Sequence, residues 1–216
     1  MKAKITIFLF IITNCYIQSW AADKIIIIDN FKNGISANWE EKSFSGKTKY
    51  SLDTEQDRSC IKAVSKGTAS GLFYKIDFDP EQYPIITWSW KVENILAKGD
   101  AKTKEGDDYA ARIYVVFPSF FFWKTRAINY IWANKLPKET SVPNAYTSNA
   151  MMIAVESGPE LTGQWLTETR NIHEDFKNLF GEAPPKVGAI AIMTDTDTTG
   201  ELATAYYGPI SIKGID

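Results

Sequence analysis

Gly106-Asp107-Asp108-Tyr109-Ala110-Ala111-Arg112-Ile113-Tyr114-Val115-Val116-Phe117 is the stretch whose reading decides the fold. Successive side chains of an extended chain point to opposite sides. Here Tyr109, Ala111, Ile113, Val115 and Phe117 fall on one side and Asp108, Ala110, Arg112, Tyr114 and Val116 on the other. The expected element is a strand with one face in a core and an acid, a guanidinium and a phenol on its opposite face. The small Ala110 leaves room among them. Such a face suits a polar ligand rich in hydroxyls.

The same signature recurs outward from this segment. Residues 25–28, 60–65, 72–78, 85–92, 127–132, 150–156, 164–171, 187–194 and 202–213 also read as strands. Turn chemistry separates them at Asp29-Asn30, Asp79-Pro80, Gly99-Asp100, Ser157-Gly158-Pro159 and residues 195–200. About ten short strands at this spacing predict an all-β, two-sheet, jelly-roll-like sandwich rather than a βαβ fold. One short helix interrupts them. Asn171 caps it, Glu174 follows three residues later, Phe176, Leu179 and Phe180 make its apolar stripe, and Gly181 stops it. The stretches 97–106 and 134–144 read as exposed loops.

The chain opens with Lys2 and Lys4, an apolar run over residues 5–12 and the small residues Ser19 and Ala21. That is the pattern of an export signal cleaved after Ala21, and the run is too short for a permanent span. Residues 1–21 are therefore expected to be a signal peptide and 22–216 a single sandwich domain, periplasmic or secreted. A lipoprotein reading through Cys15 is weak, because Asn14 precedes it where a small residue is needed. The formal charge of −2 leaves no basic footprint for nucleic acid. No second long apolar segment predicts a membrane span in the mature chain. Cys60 is the one cysteine after cleavage, so no intrachain disulfide forms there, and it reads as a buried small hydrophobe. Stability must come from packing, for which the seven tryptophans are the main resource.

Several pieces fall in order along the chain: Ala69-Ser70-Gly71-Leu72, Trp88-Ser89-Trp90-Lys91-Val92, residues 106–112, Asn129-Tyr130-Ile131-Trp132, Arg170-Asn171-Ile172, Met193-Thr194-Asp195-Thr196-Asp197-Thr198-Thr199-Gly200 and Tyr206-Tyr207-Gly208. Together they resemble the bacterial domain-of-unknown-function family catalogued as 3047, over nearly the whole mature chain. The resemblance implies a secreted bacterial domain and carries no catalytic residues with it. A looser similarity is to jelly-roll carbohydrate-binding modules, echoed in Ile28-Asp29-Asn30-Phe31, Gly34 and Trp39. Those modules often close on an acidic calcium ligand, where this chain has Gly208-Pro209-Ile210.

Residues 195–200 place oxygens at alternate positions and a glycine sixth, like the first half of an EF-hand loop. Position twelve is Tyr206, so the bidentate glutamate is missing. Calcium on Asp195 and Asp197, with help from a residue such as Glu201, stands against a plain polar turn between two core strands. Trp88 and Trp90 share a face with Ile86 and Val92 and read as core. The opposite face, with Thr87, Ser89 and Lys91, is the better place for ligand contacts. Glu168 and Arg170 share a strand face, and if that strand neighbours residues 109–117 they join Asp108 and Arg112 in one charged cluster. The alternative is ordinary cross-strand pairing. Phe120-Phe121-Phe122-Trp123 either plugs one end of the sandwich or forms a cleft wall or docking patch. His173 is the single histidine and reads as a surface residue. No zinc set, Gly-x-Ser-x-Gly elbow or phosphate-binding loop is present.

The function expected is non-catalytic binding of a glycan or similar polyhydroxylated ligand through Asp107, Asp108, Arg112, Tyr114, Glu168 and Arg170. The alternatives are two. One is a lyase using Arg112, Tyr114 and His173, or a glycosidase using Asp108 and Glu168 about 5–10 Å apart. The other is an envelope or partner-docking protein working through its aromatic run.

Overall fold

The computed structural model describes residues 24–215. The expected signal peptide over residues 1–21 lies outside them. Thirteen strands are found among the described residues: β1 (Ile25–Asp29), β2 (Trp39–Ser45), β3 (Lys49–Glu55), β4 (Arg58–Lys66), β5 (Ala69–Phe78), β6 (Ile85–Val92), β7 (Arg112–Phe117), β8 (Arg126–Ala133), β9 (Ser141–Pro143), β10 (Ala150–Ser157), β11 (Leu166–Asn171), β12 (Val187–Asp195) and β13 (Leu202–Lys213). They form a jelly-roll-like sandwich. Its six-stranded sheet runs β11-β6-β13-β4-β3, with β1 also paired to β13, and its seven-stranded sheet runs β2-β5-β12-β7-β8-β10-β9. All pairings are antiparallel except β10 with β8.

The core lies between the sheets and is filled by alternate residues, as the period of two requires. Ile86, Trp88, Trp90 and Val92 of β6 are fully buried, as expected from their shared face. They meet Ile128, Tyr130 and Trp132 of β8 across the sandwich. Trp88 stacks on Tyr130 with ring centroids 5.2 Å apart, and Trp90 lies 5.9 Å from Trp132. Cys60 is buried as well, and burial pushes its thiol up to about 11. The one α-helix among the described residues, α1 (Ile172–Phe180), begins where Asn171 accepts a hydrogen bond from the Glu174 N–H and ends at Gly181, whose φ of +74° suits glycine. Its Phe176 closes one end of the core against Phe117, at 4.5 Å between centroids.

The sequence expectation needs three corrections. Strands β2, β3 and β9 are additional, and β2 and β3 escape the pattern because their residues are mostly polar and all but Trp39 are partly or fully exposed. The strand expected from Tyr109 begins at Arg112. Before it the alternation fails: Ala110 and Ala111 both pack in the main core, so Ala110 does not make room among polar groups. Tyr109 packs instead with Ala101, Ile131, Leu136 and Met152 on the outer side of the seven-stranded sheet, the side that carries Arg112. Finally, the aromatic run plugs nothing. Phe120 is 96% and Phe122 81% exposed on the connection between β7 and β8, since four successive rings on a tight turn cannot share one buried face.

One connection positions the site. β12 belongs to the seven-stranded sheet and β13 to the six-stranded one, so residues 196–201 cross between the sheets. The crossing is held rigidly. The Gly200 N–H reaches the Thr196 carbonyl at 2.9 Å, and the Thr196 hydroxyl meets the Ser65 hydroxyl and the Gly67 N–H at 2.8 Å each.

Candidate functional site

Register places Arg112 beside Met193 of β12 and Tyr114 beside Asn129 of β8. These side chains point away from the core into a pocket of about 480 Å³ on the outer face of the seven-stranded sheet. Phe44, Asn144 and Tyr146 form part of its walls, and Asp107, Asp195, Asp197 and Thr198 line the end nearest the sheet crossing.

Arg112 lies low in this pocket, only 5% exposed. Its Nη2 donates to Asp195 Oδ2 in a close ion pair, and its guanidinium carbon sits 5.0 Å from the Tyr109 ring centroid and 5.3 Å from that of Tyr114. Its Nε has no partner. Burial works against both charges of this pair. Asp195, with Asp107 and others, holds the guanidinium protonated, while burial pushes the Asp195 carboxyl up against the pull of Arg112, and Asp108 and Asp107 add to the rise. The Asp195 carboxylate also accepts the Tyr109 N–H at 3.3 Å.

Asp108 is fully buried beneath the crossing. Its Oδ2 accepts the Thr199 N–H at 2.6 Å and its Oδ1 has no partner. Asp197 is exposed, yet burial of its surroundings and the Asp108 carboxylate raise it above the ordinary aspartate range. Asp107 accepts from the Tyr109 hydroxyl at 3.1 Å and from Asn144 Nδ2 at 2.8 Å. Asn129 is 1% exposed, and neither its Oδ1 nor its Nδ2 has a hydrogen-bond partner. Glu201 is not part of the group, because its carboxylate is taken by the N–H groups of Ala97 and Lys98 at 3.0 Å each.

The structure thus brings Asp107, Asp108, Arg112, Tyr114, Asp195 and Asp197 together at one end of one sheet. Glu168 and Arg170 are not with them. Their strand pairs with β6 at the edge of the other sheet, and opposite Trp88 and Ile86 they lie on the inner side of that edge. There Arg170 holds Asp175 through two hydrogen bonds of 3.0 and 2.8 Å and Glu139 through a third of 2.7 Å. Asp175 in turn accepts from the Tyr130 hydroxyl at 2.8 Å. Burial raises the Glu168 carboxyl. The polar outer face of β6 is also occupied by its own pairs: Lys91 contacts Glu55 at 2.7 Å and Glu93 at 2.8 Å.

Sequence reasoning missed Asn129, Asn144, Tyr146 and Phe44. Only Asn129 carried a signal: it is the one amide in an apolar strand, out of phase with the core residues Ile128, Tyr130 and Trp132. The others come from loops or an edge strand whose position depends on the whole fold.

Residues 37–211 match the family described as "Protein of unknown function (DUF3047)". No curated protein matches the chain. Among solved structures, the K1 cleaved adhesin domain of Lys-gingipain from Porphyromonas gingivalis W83 is similar at 16% identity and a TM-score of 0.46, covering 89% of this chain and 99% of that one. A family 30 carbohydrate-binding module of the Clostridium thermocellum cellulosomal cellulase Cel9D-Cel44B gives 8% identity and a TM-score of 0.48, over 89% and 99%. A xylan-binding module, CBM15, gives 13% identity and 0.40, over 90% and 99%.

Proposed function

Because the chain belongs to the DUF3047 family, which brings no activity with it, we propose a function from the pocket itself: non-catalytic binding of a neutral glycan or similar polyhydroxylated ligand. The observation that carries the reading is Asn129, buried at the pocket with both its donor and its acceptor unused. Buried polar groups are almost always hydrogen-bonded. A carboxamide that offers one donor and one acceptor side by side matches a hydroxyl, which both gives and takes a proton. Tyr146 and Phe44 are largely exposed beside it and offer aromatic faces to the C–H face of a sugar ring. Asp107 and Asp197 can accept hydroxyl protons from the rim.

Charge narrows the ligand. Asp107, Asp195 and Asp197 line the pocket against a single cation, and that cation is already paired. An acidic glycan would meet net negative charge, so neutral sugars fit better. The reaction chemistries fit less well. Asp108 is sealed and Glu168 belongs to the other sheet, so this carboxylate pair does not face one substrate. His173 on α1 is not among the residues that line the pocket with Arg112 and Tyr114, so the lyase set of these three is not assembled either. In this reading the chain is exported and meets its glycan in the periplasm or beyond.

A glycan array carrying neutral and acidic polysaccharides tests the proposal. Wild type is expected to retain a neutral glycan without cleaving it, and Asn129→Leu, folded as judged by its circular dichroism, to lose that retention. A blank array, product release, or unchanged binding by the variant would overturn it. A second reading, docking of a partner protein through residues 120–123, is favoured by their exposure.

A further inference from the structure

We propose that a divalent cation, calcium by the chemistry of its donors, binds where the two sheets meet, on Asp108, Asp195 and Asp197. One carboxylate oxygen from each of the three lies within 4.8 Å of the others. Acidic groups cluster on many surfaces without an ion, so proximity is not the argument. The argument is Asp108. Its side chain is 0% exposed, its Oδ1 has no partner, and among the described residues no lysine or arginine forms an ion pair with it. Its one backbone donor is the Thr199 N–H on Oδ2, and the other side chain in hydrogen-bonding reach is the Asp197 carboxyl, which brings no cation. Leaving a buried carboxylate without a cation is costly.

Arg112 cannot be the missing cation. It pairs with Asp195 and not with Asp108, its guanidinium lies against the Tyr109 and Tyr114 rings, and its Nε bonds to nothing. Two further carboxylates of the cluster are left uncompensated, which is the charge of one divalent ion.

The framework is organised before any ion arrives. Asp195 ends β12, and its N–H bonds the Tyr109 carbonyl at 3.2 Å, which ties the segment bearing Asp108 to it. Asp197 sits on the crossing held at Thr196 and Gly200. All three donors are hard carboxylate oxygens, and no histidine or cysteine joins them. That set suits calcium or magnesium and disfavours zinc or copper. Donors drawn from a strand end and two irregular segments suit the adaptable shell of calcium better than the strict octahedron of magnesium. Asp195 and Asp197 also line the pocket, so the ion's remaining positions face solvent there. The cation site needs no sugar, so it stands or falls apart from the glycan reading.

Calcium titration of the full chain, stripped with EGTA, tests this by calorimetry and by thermal unfolding. Wild type is expected to bind one calcium with a dissociation constant on the order of 10⁻⁴ M, the range of extracellular modules, and to unfold at higher temperature when loaded. Asp197→Asn alters an exposed side chain and folds. It is expected to lose about tenfold or more in calcium affinity, because affinity follows ligand charge count. Asp108→Asn removes the orphaned charge, and is expected to melt higher than wild type in EGTA while gaining nothing from calcium. Absence of calcium heat in wild type, an equal calcium response in wild type and Asp197→Asn, or a tighter response to magnesium would each overturn the assignment.

Discussion

The two outer sheet faces of this sandwich both bury a cation, and they treat it differently. On the six-stranded sheet Lys91, 4% exposed, is gripped by Glu55 at 2.7 Å and Glu93 at 2.8 Å and lies 4.5 Å from the centre of the Tyr206 ring. Nearby, the Thr87 and Thr169 hydroxyls pair at 3.1 Å. On the seven-stranded sheet Arg112, 5% exposed, has an unused Nε, and around it Asp108 and Asn129 have unused polar atoms. A polar group inside a protein is expensive unless bonded. The first face leaves one buried donor unused, the Trp165 Nε1, whereas the second leaves Asp108, Arg112 and Asn129 unfinished side by side and makes sense once something else supplies partners. Charge on a sheet face is therefore a poor guide to function; unfinished hydrogen bonding is a better one.

The sharpest way to break this contrast is to remove each cation in turn. Arg112→Ala strips the one positive charge from a buried acidic group and is expected to cost about 3–5 kcal/mol, the usual penalty for orphaning a buried partner. Urea denaturation measures it, and the loss should shrink when Asp195→Asn is added, since the two act on one interaction. Lys91→Ala should cost less, about 1–2 kcal/mol, because Glu55 and Glu93 are partly exposed and water replaces their partner. Equal costs at the two sites would erase the distinction drawn here.

The Lys91 effect also has a sign in pH. Although burial opposes it, Glu55 and Glu93 hold the Lys91 ammonium above the ordinary lysine range. A group whose pKa is raised on folding binds its proton more tightly in the native state. Its contribution is thus full below the unfolded value of about 10.4 and fades as pH climbs through the higher folded value. Stability curves of wild type and Lys91→Ala are expected to run parallel at neutral pH and to converge above it. Curves that stay parallel at high pH would mean the lysine acts by packing alone, and divergence would mean that burial outweighs the two glutamates.

How much of this was legible follows the same physics. Alternation placed Ile86, Trp88, Trp90 and Val92 in the core, and the capping pattern from Asn171 to Gly181 placed the helix, because both signals are local. The side of Arg112 and Tyr114 was legible from the same period. Its neighbours were not: the reading carried the alternation back through Ala110 to Asp108, where the chain has left the sheet. Strand pairing is set by the whole topology, so nothing near Glu168 and Arg170 in sequence says that they border β6 rather than β7. Asp195 and Asp197 were legible as oxygen donors in a turn. That the turn crosses between sheets, and so meets Asp108, is a property of the assembled sandwich. The aromatic run shows the limit most plainly, since composition argued for burial and the geometry of a turn exposed it.

The smallest effects separate the faces most cleanly. Asn129→Leu exchanges an unbonded buried amide for an apolar side chain of similar size, and stability is expected to hold or rise by up to about 1 kcal/mol. A loss instead of a gain would mean that ordered water already satisfies the amide. Thr87→Val on the six-stranded sheet removes one half of an exposed hydroxyl pair, and the expected change lies within about 0.5 kcal/mol. The two substitutions are alike in being nearly silent in a melting experiment, and they should part on the glycan array. Thr87→Val leaves retention untouched, because its hydroxyl is already paired with Thr169, whereas Asn129→Leu abolishes it. If Thr87→Val weakened retention as much as Asn129→Leu does, the ligand would be reading the six-stranded sheet, and unfinished hydrogen bonding would have pointed to the wrong side of the sandwich.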